Sequence, residues 1–492
     1  MGIIRKQGLQ GSASLYAGVF IGFVTTALLF PKILNPEQIG LLNTLVSYST
    51  VFAQFATLGF TSVIIRNFSY FRDYKNRHNH FFFLVFWVMV IGSTLSVLAY
   101  FLLKPIIVAQ NIINAPLFVE YIDYLIPLIV FTLVFFILDT YYTVLYKTVR
   151  GIILKEVLQR ILILIALLLL LFQFISFKCF TVAYVVALAV PGIIMIIFII
   201  AEGEWVISPK LDFISKDLSR SMFSVGLFGI LTSLVGSANL QIDRAMASSM
   251  ISLEATGIYT TVFIFASLIT VPSRALLKIA SAVIAEAWKR NDKEEIAKIF
   301  KNTCLNQYII ALLVFIGLWG NIDNIFRILP PEYLSGKYVI FWLGLAYTIE
   351  MASGASNQII ASSPDYKVFT WMAVIRLALM VVTNLIFIPL FQVTGIAIAA
   401  AVSYIIFAII RLAYIKLRYK IYPYHIKFVY LTAIGILVYF VSDLLPQLNN
   451  LYLDITIRSL FITFFFLILI TIFKISDELN LKLKKTLKRI FS

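Results

Sequence analysis

The chain has 492 residues, of which 61% are apolar and only 13% charged, and its mean hydropathy is +0.96. Soluble domains carry about 25% charged residues, so soluble, disordered, fibrous and disulfide-scaffold classes are excluded and the chain reads as a polytopic membrane protein. Forty Lys and Arg against 24 Asp and Glu give a net charge of +16, which in a soluble chain points to nucleic acid and in a membrane chain to cation-rich loops on one face.

The start, Met1-Gly-Ile-Ile-Arg5-Lys6, has the charge of a signal peptide. The apolar run behind it continues past Phe30 without a small-residue cleavage site, so it is expected to be a retained first span. About 20 apolar residues cross a bilayer. On that length the sequence predicts an all-α fold of about fourteen transmembrane helices: 11–34, 39–65, 80–103, 122–146, 156–176, 179–200, 219–242, 255–277, 304–322, 337–361, 367–390, 393–415, 425–445 and 453–473. The second, seventh and tenth are rich in Ser, Thr, Asn and Gln, which in lipid face protein or a water-filled cavity. Pro127, Pro191, Pro272 and Pro389 fall in or at the ends of spans, as in kinked transporter helices. His78, His80 and His425 fall in loops, and Cys179 and Cys304 are too far apart in sequence to suggest a metal or disulfide pattern.

An even number of spans puts both termini on one face. With the fourteen segments above, 32 of the 40 cations fall in the N-terminus, the alternate loops and the C-terminal tail, among them Arg411 in the segment 411–427. Seven fall on the other face, and Arg376 lies inside a span. The cation-rich face is expected to be cytoplasmic. The polar stretch 285–302 is expected to lie on that face as a short amphipathic helix, and the basic tail 476–492 to bind anionic lipid.

A repeat is the most informative feature. Asn35-Pro36-Glu37-Gln38-Ile39-Gly40-Leu41-Leu42 opens the second span and Ser252-Leu253-Glu254-Ala255-Thr256-Gly257-Ile258-Tyr259 opens the eighth. Glu37 and Glu254, Gly40 and Gly257, and Thr44 and Thr261 are each 217 residues apart. Arg160 falls on Arg376, and Ala183 on Ala399, at an offset of 216. The expected organisation is a six-helix lobe over 1–210, a second over 211–420, two further helices over 421–475 and the tail 476–492. Repeats of this kind typify transporters whose halves rock about a central site. Glu37 and Glu254 read first as helix-start residues, set two positions after an Asn or Ser cap.

The run Gly22…Phe30-Pro31-Lys32…Asn35-Pro36-Glu37-Gln38-Ile39-Gly40-Leu41, followed by Leu58-Gly59-Phe60…Ser62…Arg66, resembles the opening of the polysaccharide-biosynthesis branch of the MOP exporter superfamily, the Wzx-type flippases. Asn239-Leu-Gln-Ile-Asp243-Arg244, Glu254-x-x-Gly257-Ile-Tyr259, Asp292-x-Glu294-Glu295 and Thr394-Gly395-Ile396-Ala397-Ile398-Ala399 fit the same pattern in the second half. Leu42 stands where the family often has Tyr. The resemblance implies two six-helix lobes around a cationic lumen. It also implies movement of an undecaprenyl-diphosphate-linked oligosaccharide from the inner to the outer leaflet of a bacterial cytoplasmic membrane, for surface polysaccharide such as the O-antigen of lipopolysaccharide. Membrane lipids and other polysaccharide-assembly proteins are the implied partners; nucleic acid is not.

Ionisable residues within spans are costly and are candidates for function. Arg376 and Arg160 are repeat-related, and a guanidinium fork suits a diphosphate; against this, Glu156 lies one turn before Arg160 and can pair with it. Arg66, Arg274 and Lys278 sit at cytoplasmic span ends, as an entry funnel or as interfacial anchors. Asp243 and Arg244 are neighbours near the outer end of the seventh span, and Arg244 is a further lumen cation. No resident cofactor is expected. For coupling to a proton or Na+, Glu350 stands in a polar setting, with Asp139 and Asp243 as further candidates; an interhelical ion pair competes with that role for Glu350 and Asp139. A cation-coupled multidrug exporter of the MATE kind is the alternative transporter, and the intramembrane arginines argue against it. A membrane glycosyltransferase or polymerase would need a charged outer loop, yet 104–121 holds only Lys104 and Glu120 as charges. With no phosphate-binding glycine loop and no nucleophile constellation, an enzyme is not expected.

Overall fold

The computed structural model describes residues 2–73, 75–209 and 215–475. Among these residues all regular structure is helical. The chain divides into two compact units, Met1–Thr260 and Thr261–Ser492.

In the first unit, α1 (Gly2–Gly22) runs through a π-helical turn, Phe23–Leu29, into Phe30–Ile33. Next comes α2 (Pro36–Ala56), whose start follows from its first four residues. Asn35 Oδ1 accepts from Gln38 N at 2.8 Å, the Gln38 side chain accepts from Asn35 N at 3.1 Å, and Pro36 stands where no N–H is needed. After a break at 57–59 follow α3 (Phe60–Phe71), α4 (Phe81–Asn111) and α5 (Leu125–Val144). A short helix, Val149–Ile152, and a π-helical segment, Ile153–Leu158, lead into α6 (Gln159–Leu171). Then come α7 (Phe177–Ala201) and α8 (Lys216–Met250). The core of this unit falls into two clusters, one around Phe68, Phe81, Tyr141 and Met195 and the other around Leu41, Phe118 and Leu125. Because α8 packs along α2 and α3, it belongs to this unit; the six-plus-six division at 210 describes the sequence repeat.

The repeated segments meet within the first unit. A Cβ on Gly40 would overlap the carbonyl of Leu253, and a Cβ on Gly257 would overlap that of Pro36. Pro36 and Leu253 are themselves 217 residues apart, so each copy places its glycine against the first helical residue of the other. Close backbone approach is what small residues allow in a membrane, where packing and not hydrophobic exclusion holds helices together.

Helix α9 (Leu253–Ser267) crosses the boundary between the units. The second unit then holds α10 (Val271–Lys289), α11 (Lys293–Gly320), the bent pair α12 (Lys337–Ala352) and α13 (Ser356–Ser362), the long α14 (Tyr366–Tyr419), α15 (Ile426–Asp443) and α16 (Leu451–Ile472). Its core gathers Ile284, Phe300, Phe407, Leu431 and Phe466.

Among the described residues, eleven helices are long and apolar enough to cross a membrane, or twelve if α12 and α13, bent by 51°, form one span. The sources of the difference from fourteen are local. The expected segments 367–390 and 393–415 are two helices that meet at a kink at Gln392 (φ 50, ψ −126), where the gap between them is expected. They enter the count as the one stretch α14. The segment 156–176 begins in the π-helical turn before α6 and so lacks one long regular helix. The expected surface helix 285–302 is not a single element. Asn291 adopts a positive φ, Asp292 caps a new helix by accepting from Glu295 N at 2.9 Å, and the stretch divides between α10 and α11. The basic tail 476–492 lies outside the described residues.

Candidate functional site

In the second unit, charge is concentrated where α12, α13 and α14 pack together. Tyr404, Phe407 and Arg411 follow at spacings of three and four on α14 and so share one face. Arg411 is only 1% exposed. Its Nη1 and Nη2 donate to the two carboxylate oxygens of Glu350 at 3.0 and 2.9 Å, and Nη1 also donates to Asn357 Oδ1 at 2.8 Å. This is a two-pronged, charge-assisted pair, supported by the Phe407 ring 5.0 Å from the guanidinium. Glu350, singled out in the sequence as a coupling acid, therefore already holds a cation partner. That partner is Arg411, which the loop-charge count assigned to the segment 411–427; α14 runs on to Tyr419 and buries it against Glu350.

Arg376, in the first half of α14, lies 4.3 Å over the Tyr404 ring and 5.6 Å from Phe407. Tyr404 is itself held edge-on against Tyr347 at 5.7 Å. Arg376 is partly exposed, sits within electrostatic reach of Glu350, and its Nε has no hydrogen-bond partner among the described residues. An aromatic face holds a guanidinium through its ring quadrupole, and with Tyr404 also hydrogen-bonded to Arg376 the rest of the planar N–H fork suits a planar anion.

The first unit treats the repeat-related arginine differently. Arg160 is paired to Glu156 one turn away at 2.6 Å and donates to the Gly18 carbonyl. Side chains on Gly18 or Gly22 would overlap Glu156 or the Arg160 guanidinium, so these two glycines open the groove in α1 that admits the pair. Asp139 on α5 lies against Gly151 and feels the charge of Lys155, whose ammonium sits 5.3 Å from both Phe135 and Phe136. Asp243 accepts from the Tyr259 hydroxyl at 3.2 Å. Arg244 donates to Gln241 Oε1 at 3.0 Å, and that oxygen also accepts from Ser47 at 3.0 Å. Arg66 and Lys278 are exposed on α3 and α10; the side chain of Arg274 lies outside the described residues.

Each unit also carries an ionic clasp outside the spans. Glu202, just beyond α7, meets Lys147 at 2.9 Å and Arg150. Burial pushes its carboxyl upward, but the two cations more than offset this and hold it below the ordinary range. Asp365 accepts from Arg418 Nε at 2.8 Å and from the hydroxyls of Tyr414 and Tyr419, each at 3.2 Å. The Arg418 hydrogen bond holds its carboxyl low. Among the described residues no group of three or more His, Cys, Asp or Glu side chains could hold a metal ion.

The structure thus brings Glu350, Arg376 and Asn357, which belongs to the polar setting expected around Glu350, together with the unforeseen Arg411 and Tyr404. Sequence reasoning missed Arg411 because it stands at the edge of an apolar run; its spacing from Tyr404 and Phe407 on one helical face was the available signal. Lys155 was missed for the same reason.

Comparison with known proteins gives a consistent picture. The family model described as polysaccharide biosynthesis protein matches residues 9–285. A probable low-salt glycan biosynthesis flippase of Haloferax volcanii, Agl15, is 21% identical over 221 residues, 44% of this chain; the match spans 46% of that protein's length. Among solved structures, a lipid II flippase, MurJ, in an inward closed conformation superposes with a TM-score of 0.75 at 15% identity, covering 94% of this chain and 98% of that one. An inward-facing multidrug resistance MATE transporter of the MOP superfamily gives 0.63 at 14% identity, covering 81% and 94%. At these identities the structural likeness speaks for the fold.

Proposed function

Because the chain belongs to the polysaccharide biosynthesis protein family, matched over residues 9–285, we propose that it flips a polyprenyl-diphosphate-linked oligosaccharide, of the undecaprenyl class, from the inner to the outer leaflet of the cytoplasmic membrane. The chain is a multi-pass membrane protein of flippase-like fold, and the relatives it matches are named as flippases and transporters, not enzymes. In this reading both termini are cytoplasmic, and the cycle is alternating access of two repeat-related halves.

The observation that carries the substrate assignment is Arg376: a guanidinium inside a span, seated on Tyr404, with no acid within a turn of it in the sequence. Anionic diphosphate suits such a group, whereas a cationic drug would be repelled. Arg411 and Glu350 brace the wall on which Arg376 stands, and Arg160, held by Glu156, is the weaker candidate for substrate contact. For coupling to an inward proton or Na+, Asp139 is better placed than Glu350, whose carboxylate is already bonded on both oxygens. Moving one such charge down the membrane potential is worth about 2.3 kcal/mol per 100 mV.

The test is translocation in proteoliposomes of a labelled polyprenyl-diphosphate oligosaccharide, set beside export of a cationic dye. Protein-stimulated flipping of the glycolipid supports the reading. Dye export without glycolipid flipping overturns it in favour of a MATE-like exporter.

A further inference from the structure

A second feature of the first unit is unused by the Arg376 site. Between α2, α4 and α8 lies a cavity of about 620 Å³, walled by Val51 and Phe55, Ala99 and Leu103, and Leu234 and Ala238. Phe55 and Leu103 are exposed at its mouth. One end of this apolar trough is polar. There Ser47 Oγ and Arg244 Nη1 both donate, at 3.0 Å each, to Gln241 Oε1, and Ser47 and Gln241 are themselves lining residues. The lining residue Tyr48 extends the polar end, its hydroxyl accepting from the buried Asn111 amide at 3.4 Å.

Apolar cavities exclude water, and one that opens among membrane-spanning helices is filled by hydrocarbon. An apolar trough whose lining residue Gln241 is hydrogen-bonded by the Arg244 guanidinium matches an amphiphile with one hydrocarbon chain and an anionic head. A bulk phospholipid fits the trough less well, because it brings two chains and, in the common zwitterionic lipids, a head with its own cation. We infer that this groove holds the polyprenyl chain of the lipid-linked substrate, with the diphosphate set at Arg244. The inference rests on the proposed flippase reading and deepens it. Arg244 lies near the end of α8 and close in sequence to the capped start of α9, so the groove serves the leaflet next to the Pro36 and Leu253 helix starts. In the proposed topology that is the outer leaflet, where the flipped lipid arrives. Arg376 and Arg244 then have separate tasks: one attends to the head during passage and the other receives the lipid by head and tail together.

The experiment uses the full chain in proteoliposomes with a polyprenyl-diphosphate oligosaccharide carrying a photoreactive group in its tail. Irradiation and peptide mass spectrometry are expected to place adducts on 47–55, 99–110 or 234–249. Excess unlabelled polyprenyl-diphosphate glycan should suppress them and excess phosphatidylethanolamine should not. Arg244→Gln should lower labelling at subsaturating probe by about tenfold, the scale of one lost charge-assisted hydrogen bond. Ala238→Phe, which fills the trough, should abolish it. Because wild-type labelling is read directly, a variant that fails to fold does not blur the outcome. Adducts confined to other helices while translocation proceeds would overturn the groove and spare the flippase reading. Equal suppression by phospholipid would show a site for bulk lipid only and would overturn it too. Failure of both translocation and labelling would remove the flippase reading itself.

Discussion

The two units place opposite chemistry at repeat-equivalent positions. Glu350 and Arg411 of the second unit correspond, at the offset of 216, to Val134 and Met195 of the first. Val134 and Met195 are buried in one apolar cluster, while Glu350 and Arg411 form a buried ion pair. Arg160 leans on an acid one turn away, whereas its counterpart Arg376 leans on Tyr404. The clasps outside the spans are reversed in sign: Arg150 with Glu202 in the first unit, Asp365 with Arg418 in the second, at offsets of 215 and 216. A frame of packed helices is therefore compatible with either an apolar contact or an ion pair at the same place. Since charge within a membrane is costly, a position that keeps it, as Glu350 and Arg411 do where Val134 and Met195 do not, is one where a role beyond packing is expected.

The largest effect is predicted at the buried pair. Glu350→Gln leaves Arg411 charged and unpaired in the interior and should cost about 3–5 kcal/mol of stability, read as a lowered unfolding midpoint in detergent. Converting the pair to its first-unit counterpart, Glu350→Val with Arg411→Met, should return the midpoint close to wild type, because apolar replacement of a buried pair is often neutral or stabilising. A double variant as unstable as Glu350→Gln would break the comparison.

How much of this was legible in the sequence follows from the same residues. Hydropathy exposed the spans because uninterrupted apolar runs of membrane length are rare in chains that fold in water. The repeat was visible because helix-start residues and close-packing glycines tolerate little change of type. Arg411 was hidden because counting loop cations assumes that a cation at the edge of an apolar run lies outside it; α14 continues beyond that edge, and the Arg is neutralised by a partner 61 residues away. The break at Gln392 was legible, since the expected segments end at 390 and resume at 393, between Pro389 and Gly395. Arg160 was legible in part: Glu156 at one turn announced the local pair, but the carbonyl of Gly18, which completes it, comes from a distant helix.

An intermediate effect is expected where the repeats agree. Gly40→Ala and Gly257→Ala each force a methyl onto a backbone carbonyl that has no rotamer to escape through. Each should cost about 1–3 kcal/mol, the usual range for overpacking, and the two should be similar because the contact is reciprocal. Unfolding midpoints far apart would show that the two copies do not bear the crossing equally.

The smallest effect is predicted at the clasps, and it depends on pH. Asp365 is held low by Arg418, so its contribution is present above the ordinary aspartate value of about 3.9 and is lost only as pH falls through its lower, folded value. Asp365→Asn should therefore speed amide hydrogen exchange over 414–419 at neutral pH while leaving the rest of the chain unchanged. Wild type should show no such opening as pH falls from 7 to about 5. Faster exchange in wild type within that window would mean that the carboxyl is not depressed.

The direct test of the central claim compares the two repeat-related arginines in one transport assay. Arg376→Lys and Arg160→Lys keep the charge and lose the planar fork. Initial rates of labelled polyprenyl-diphosphate glycan flipping should fall at least about tenfold for Arg376→Lys, the scale of a lost charge-assisted hydrogen bond, with its unfolding midpoint near wild type, and should fall less for Arg160→Lys. Wild-type flipping by Arg376→Lys would contradict the account.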